Sequence, residues 1–369
     1  MNQHRMAKRI FFTVTNDLTY DQRMRRICTS LSKAGYDVTL VGFLRPGSVP
    51  LKKEAYKQKR FRLFFLKGGL FYAEYNIRLL IYFLFKKMDA ICAIDLDTIL
   101  PCLAISKWKR IPRIYDAHEL FTELKEVVSR PAIKRKWDRI EKHAVPQFPY
   151  GYTVAQSIAE ELNKKYKVHY KVIRNITVLK ETVIIDRPGD FILYQGAVNE
   201  GRCLEYIIPA MKEVNSRLVI CGDGNFMDQL RELIVQHNVE DKVELKGMVE
   251  PEELWNISLH AQIGLTIIEN IGLNQYFSLP NKFFDYIHAG IPQIAMNYPE
   301  YERINKQFEV AVLLDSVEPK KIAAAINNLL QNDVLYNKLR ANCLKARQEL
   351  NWQQEEKKLL EFYQSVIKA

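Results

Sequence analysis

The clearest chemical pattern in the chain is Ser278-Leu279-Pro280-Asn281-Lys282-Phe283-Phe284-Asp285, which continues to Gly290. Ser278 and Pro280 are residues that open a helix, Ser as a cap and Pro in the first turn, and Gly290-Ile291-Pro292 closes one. The first turn of such a helix has backbone N–H groups without partners, and these form an anion site that suits a diphosphate. Lys282 in the same turn can add positive charge. Asp285, one turn further on, can accept hydrogen bonds from the two hydroxyls of a ribose. A buried amphipathic helix with Asp285 merely exposed is the alternative that needs no ligand.

Other candidates follow strand-like runs. In the second half these are Gln195-Gly196, Gly222-Asp223-Gly224, Gly247 and Glu269-Asn270. In a doubly wound sheet, ligands bind beyond the carboxyl ends of the strands, where glycine lets a ligand approach the backbone. Each position alone also fits an ordinary strand-ending turn; five in register, with Ser278, weaken that reading. Met227 stands where a dinucleotide fingerprint needs its third glycine, and no phosphate-binding G-x-x-x-x-G-K-[ST] loop occurs. In the first half, Asp17, Asp21 and Arg23 follow the first strand, and Arg23 and Arg26 share a helix face that solvent exposure explains equally well. Asp95 and Asp97 follow another strand, where capping a helix is the competing role. His118 ends a third, where a structural histidine is the alternative.

The elements that must position these residues alternate strand and helix almost throughout, which predicts an α/β protein with parallel sheets. Strands are expected at 9–15, 37–43, 90–95, 113–118 and 150–155, then at 191–195, 217–222, 242–247, 262–268 and 292–296. Helices are expected near 21–33 and 134–143. The chain of 369 residues suits two domains. The boundary falls between about Asn175 and Asp190, near the Asp186-Arg187-Pro188-Gly189 turn, giving domains 1–180 and 181–351. Closing helices run from about Pro319 to Lys368, and the last, 352–369, can pack back on the first domain.

A net charge of +11 favours anionic partners. Nucleic acid is excluded because no recognisable binding module accompanies the charge. The six cysteines are scattered and no ligand set for a metal stands out, so they read as buried apolar residues in a reducing cytoplasm. The basic start before the first strand lacks the apolar run and cleavage site of a signal peptide. Much of the excess charge lies between Lys52 and Lys87. There Ile77 to Phe85 is too short to span a bilayer. It reads either as a core helix with a solvated basic flank or as a surface that rests on anionic lipid.

The order of elements, SLPNKFFDYIHAGIPQIA, YQGAVNEGRCLEYIIPA and the opening NDLTYDQRMRRICTSLSKAGYDVTLVGF together resemble bacterial family 4 glycosyltransferases of the GT-B fold, over essentially the whole chain. The resemblance implies two doubly wound Rossmann-like domains facing across a cleft. It implies a retaining enzyme that takes a sugar from a UDP- or GDP-sugar held by the C-terminal domain. The acceptor, a glycan or lipid-linked sugar, is bound mainly by the N-terminal domain, with Asp17, Asp21, Arg23 and Asp95 as candidates.

By the same resemblance Gly196 matches the glycine after the first donor-domain strand, and Arg202 the residue that neutralises the diphosphate. Asp285 matches the second acid of the E-x7-E motif, and His118 the histidine near the transferred sugar. Gly222, Gly224, Gly247, Glu269, Ser278, Leu279, Asn281 and Lys282 complete the donor set. No cofactor or metal is required by a mechanism in which Arg202 and a helix N-terminus stabilise the leaving diphosphate. The pathway implied is cell-surface polysaccharide synthesis, in the cytoplasm or peripheral at the inner face of the membrane. Two positions depart from the family pattern: Phe277 stands where the first acid is expected and Ala197 where a basic residue often follows the glycine. Glu269 and Lys282 are candidates to compensate. A non-catalytic sugar-nucleotide binder and a related sugar-nucleotide epimerase are the alternatives.

Overall fold

A computed structural model describes residues 7–181, 185 and 189–367; the first six residues, the expected turn at 186–188 and Lys368 lie outside them. The chain forms two units, Met1–Arg174 with Glu355–Ala369, and Asn175–Gln354.

The first unit holds β1 (Arg9–Thr13), β2 (Asp37–Phe43), β3 (Lys57–Phe61), β4 (Ala90–Ile94), β5 (Arg113–Ala117), β6 (Tyr150–Thr153) and β7 (Lys171–Val172). They pair in the order β3-β2-β1-β4-β5-β6-β7, every pair parallel. Parallel neighbours need a crossover between them, and helices supply it except between β2 and β3, which the irregular segment 44–56 joins. Covered on both faces, a central strand has no polar side: all five residues of β4 are buried. Strand β3, KQKRF, was not expected because its residues are mostly polar. It is an edge strand, where lysines also discourage pairing with another chain.

The second unit holds β8 (Phe191–Gln195), β9 (Arg217–Cys221), β10 (Val243–Gly247), β11 (Ile263–Thr266), β12 (Gln293–Met296) and β13 (Ala311–Leu314). Their order, β10-β9-β8-β11-β12-β13, repeats the winding of the first six strands, again all parallel. Each sheet reverses its strand order once, between β1 and β4 and between β8 and β11, so each unit has one such crevice at its carboxyl edge. Strand β7 escaped the sequence reading because two residues carry too little pattern, and β13 was not expected although AVLL is an apolar run as long as β11 and β12.

The helix Trp352–Val366 passes into the first unit at Glu355. The buried Glu355 carboxylate accepts from the Arg174 backbone N–H at 2.8 Å and from Lys358 at 2.7 Å. Tyr363 is fully buried, its ring 6.0 Å from that of Phe12 on β1 and its hydroxyl 3.3 Å from Tyr152 on β6. Tyr363→Ala is expected to destabilise the first unit by about 3 kcal/mol or more, the usual cost of deleting a buried aromatic ring. In urea unfolding, the transition of the first unit moves and that of the second stays.

Candidate active site

In the second unit the loops after β8, β9 and β10 are stacked on one another. Gly196 N–H donates to the Cys221 carbonyl at 2.9 Å, Gly222 N–H to Gly247 at 2.8 Å, and Val198 N–H to Asp223 at 3.0 Å. A side chain at Gly222 would run into the Gly196 carbonyl, and one at Gly224 into the Val198 carbonyl. These two glycines are therefore required by loop-on-loop packing, independently of any ligand. Gly196 differs: its φ is +115° and a Cβ there would meet open space.

The helix expected after Ser278 spans Asn281–Ala289 and ends at Gly290, whose φ of 72° is left-handed. Two details correct the sequence reading. Ser278 is no cap for this helix, because its hydroxyl donates backward to the Gln275 carbonyl at 2.8 Å and closes the short helix Leu273–Tyr276. Pro280 sits one residue before the helix, its carbonyl accepting the Phe283 N–H at 3.1 Å. The N–H groups of the first turn thus begin at Asn281. Leu279 is buried in the core.

Lys282 is buried, and its ammonium lies 3.9 Å from the centroid of the Tyr194 ring. Among the described residues its Nζ has no hydrogen-bond partner. Burial, followed by the nearby Arg202 guanidinium, pushes its pKa down to about 7. Arg202, partly buried, has no carboxylate partner among the described residues. Among the described residues neither of these two cationic side chains forms an ion pair, an arrangement that an anion stabilises.

Asp285 is more engaged than its sequence position implied. One carboxylate oxygen accepts from Thr177 at 2.8 Å and the other from Gln195 at 3.0 Å. Gln195 in turn accepts from Ser258 at 2.9 Å. Gln195 was expected only as a strand-ending residue and Thr177 not at all, since nothing local to either residue signals the contact with Asp285. Glu269 is anchored by its backbone N–H to the Gly201 carbonyl at 3.1 Å, and Phe277 packs on Tyr276.

In the first unit a cavity of about 420 Å³ opens at the carboxyl ends of β1 and β4. Asp17, Asp21, Arg23, Asp95 and His118 all line it, joined by Thr15, Tyr20, Arg45 and Asp97. Arg23 forms two hydrogen bonds of 2.6 Å to the fully buried Asp116 of β5. Burial disfavours its charge, but the charge of Asp116 outweighs that and holds the guanidinium ionised. Asp21 caps the helix Gln22–Lys33 through the Met24 N–H and also accepts from Asn16 at 2.7 Å. Burial would raise the pKa of Asp17, yet hydrogen bonds from Ser48 and Thr19 leave it below the usual value.

Asp95 does not cap the turn that follows it. Its backbone takes a φ of 54°, and its carboxylate accepts from the N–H groups of His118 at 2.9 Å and Glu119 at 3.2 Å. Burial and the charge of Glu119 raise its pKa well above the ordinary value. Burial likewise raises Asp97 to about 6, although Thr15 donates to it. Burial, then Arg23 and Arg26, push His118 down to about 3, so its imidazole is neutral at physiological pH.

The residues 177–349 match the family model of glycosyl transferases group 1, and residues 22–179 that of glycosyltransferase family 4. The chain is a glycosyltransferase of the GT-B type. The enzyme is similar in fold to sucrose-phosphate synthase of Thermosynechococcus elongatus, with a TM-score of 0.78 and 15% identity over 97% of this chain and 98% of that one. It is similar to Anabaena HepE, solved in complex with UDP-glucose, with a TM-score of 0.75 and 11% identity over 97% and 99%. A putative UDP-N-acetylglucosamine 2-epimerase from Listeria monocytogenes shares the fold at a TM-score of 0.65 and 11% identity over 97% and 96%. No curated protein sequence matches. Among the described residues no cluster of potential ligands could hold a metal ion.

Two outcomes test the first-unit cavity. Arg23→Met leaves Asp116 buried without a counter-ion and is expected to destabilise the unit by about 3–5 kcal/mol, most of it recovered on adding Asp116→Leu, read from urea midpoints. Because His118 is neutral when folded down to about pH 3 but ordinary when unfolded, the unfolded chain takes up its proton first. The His118 contribution therefore lowers stability as pH falls from 6.5 towards 3. Asp97 has the opposite sign, costing stability as pH rises from about 4 to 6. His118→Asn should remove the first slope and leave the second, and the wild-type His118 ring should show no NMR titration between about pH 5 and 8.

Proposed function

We propose that the enzyme transfers a sugar from a UDP- or GDP-sugar held by the second unit to a glycan or lipid-linked acceptor held by the first. Transfer proceeds with retention of anomeric configuration, in cell-surface polysaccharide synthesis. The observation that carries this reading is the juxtaposition of Arg202 and Lys282, whose Nζ has no hydrogen-bond partner among the described residues, at the first turn of the helix Asn281–Ala289. The likeness to HepE, whose structure contains UDP-glucose, supports the donor class.

As the bond from the anomeric carbon to the diphosphate breaks, charge grows on the leaving oxygens. Arg202, protonated Lys282 and the helix N–H groups meet that charge as fixed donors, so little reorganisation is needed at the moment of reaction. Lys282 thereby stands in for the basic residue missing at Ala197. Asp285, held in place by Thr177 and Gln195, binds the ribose hydroxyls. Gly196 lets the donor approach the backbone, and Glu269 stands in for the acid missing at Phe277. In the first unit, neutral His118 hydrogen-bonds the transferred sugar, while Asp17, Asp21, Asp95 and the paired Arg23 shape the acceptor cavity. No cofactor or metal takes part. The enzyme works in the cytoplasm, peripheral to the inner face of the cell membrane.

Phe277 and Ala197 favour a second reading, a sugar-nucleotide binder without turnover in the same pathway. Epimerisation of a free sugar nucleotide would need no acceptor. Incubation with labelled donors and a panel of acceptors separates the three: acceptor-dependent product supports transfer, binding alone supports the second, and a changed sugar without acceptor supports the third.

Arg202→Ala is expected to lower kcat/KM for transfer by roughly 100-fold, the scale of losing one donor to the developing charge. Lys282→Met should leave the ligand-free protein as stable or more so while shrinking the rise in Tm on adding UDP-sugar. Because Lys282 is neutral above about pH 7 and an anion restores its proton, donor affinity should fall as pH rises past 7. Calorimetry in buffers of different ionisation enthalpy should record proton uptake, absent in Lys282→Met.

A further inference from the structure

The helix Gly68–Leu84 is apolar on two faces. Phe71, Tyr75, Leu79 and Phe83 recur every four residues and are buried in the first unit. After its two opening glycines, the exposed positions are Leu70, Ala73, Ile77, Ile81 and Leu84, none of them polar. Ile77 is 57% exposed and Ile81 52%. This outer stripe runs the length of the helix, about 25 Å. No helix among the described residues is long and apolar enough to cross a membrane.

The polar residues of this helix hold a second apolar feature against it. Glu74 accepts from the backbone N–H groups of Phe64 at 2.9 Å and Phe65 at 2.9 Å, and pairs with Arg78 at 2.8 Å. Arg78 also lies 5.3 Å from the centre of the Phe64 ring. The segment before the helix is thereby fixed with Phe64 85% exposed and Phe65 and Leu66 beside it. At the other end of the helix, Phe85 is 82% exposed and Trp108, from the neighbouring helix Ile99–Lys109, 63%. They share a groove with Lys86, Lys87 and Lys109. From Arg62 to Met88 the sequence has five basic residues and a single acid, Glu74, which is occupied as described.

We infer that this face is a docking surface for an anionic phospholipid bilayer, on which the helix Gly68–Leu84 lies flat. Phe64, Ile77, Ile81 and Leu84 enter the acyl boundary, Trp108 sits at headgroup level, and Lys86 and Lys87 meet the lipid phosphates. Ordered apolar side chains inside a basic margin are what interfacial binding needs, the apolar area giving affinity and the lysines the preference for anionic lipid. The sidedness of the membrane rests on the localisation proposed above; the surface itself does not. Asn76 of the same helix donates to the Asp97 carbonyl at 2.9 Å, and Asp97 lines the cavity, so the bilayer-facing helix directly supports the proposed acceptor site.

Flotation of the full chain with vesicles of phosphatidylcholine, with and without phosphatidylglycerol, tests this. The protein should float with the anionic vesicles and not with the neutral ones. Ile77→Gln with Ile81→Gln, and separately Lys86→Glu with Lys87→Glu, should each lower the partition coefficient by about tenfold or more. Both pairs should keep the parent Tm and its transfer to a water-soluble acceptor. Unchanged partition in both pairs, or no flotation at all, overturns the inference. So does a dimer that Ile77→Gln with Ile81→Gln dissociates while no vesicle binding is seen. Loss of transfer with intact vesicle binding would instead count against the transferase reading alone.

Discussion

A parallel sheet brings its chain back over one face between successive strands, so every strand of a unit ends at the same edge. This constraint governs both units. It places Val14 to Tyr20, Asp95 to Asp97 and His118 together after β1, β4 and β5, although more than 100 positions separate the first of them from the last. It likewise brings Gly196, Gly222 and Gly247 within one hydrogen-bonded stack after β8, β9 and β10. The helices that make the return trips present their N-termini at that edge, which is why the anion-seeking end of Asn281–Ala289 is found among those loops.

The charges at the two edges are handled differently. In the first unit the buried Arg23 is satisfied by Asp116 with two short bonds, so its role is to hold the floor of the cavity. In the second unit Lys282 is equally buried and, among the described residues, has no such partner. An ion pair completed within the chain stabilises geometry. A cation left incomplete stabilises whatever anion arrives, and meanwhile sheds its proton more readily than an ordinary lysine.

Much of the architecture was legible because buried parallel strands are written as short apolar runs: AICAI and FILYQ are unmistakable. KQKRF was not, since an edge strand has no need of apolar residues. Within the sites, residue types were legible and partners were not. Arg23 stood out, but Asp116 is 93 positions away. Asp285 stood out, while Thr177 and Gln195 carry no local sign of contacting it. Ser278 was misread because capping depends on which way one hydroxyl turns, a choice between two neighbouring helices. The string from Ile77 to Phe85 displayed its apolar residues openly, but only coordinates distinguish the face that packs inward from the face left outside.

The return of the chain at Glu355 has a consequence for the order in which the protein is made. The second unit is an uninterrupted stretch, whereas the first must wait for the helix that carries Tyr363 into contact with Phe12 and Tyr152. As the chain leaves the ribosome, the later unit can therefore finish folding before the earlier one. Until then the first sheet has an open place beside β1 and β6. A frameshift close to residue 355 would accordingly injure the half of the protein synthesised first and spare the half synthesised last.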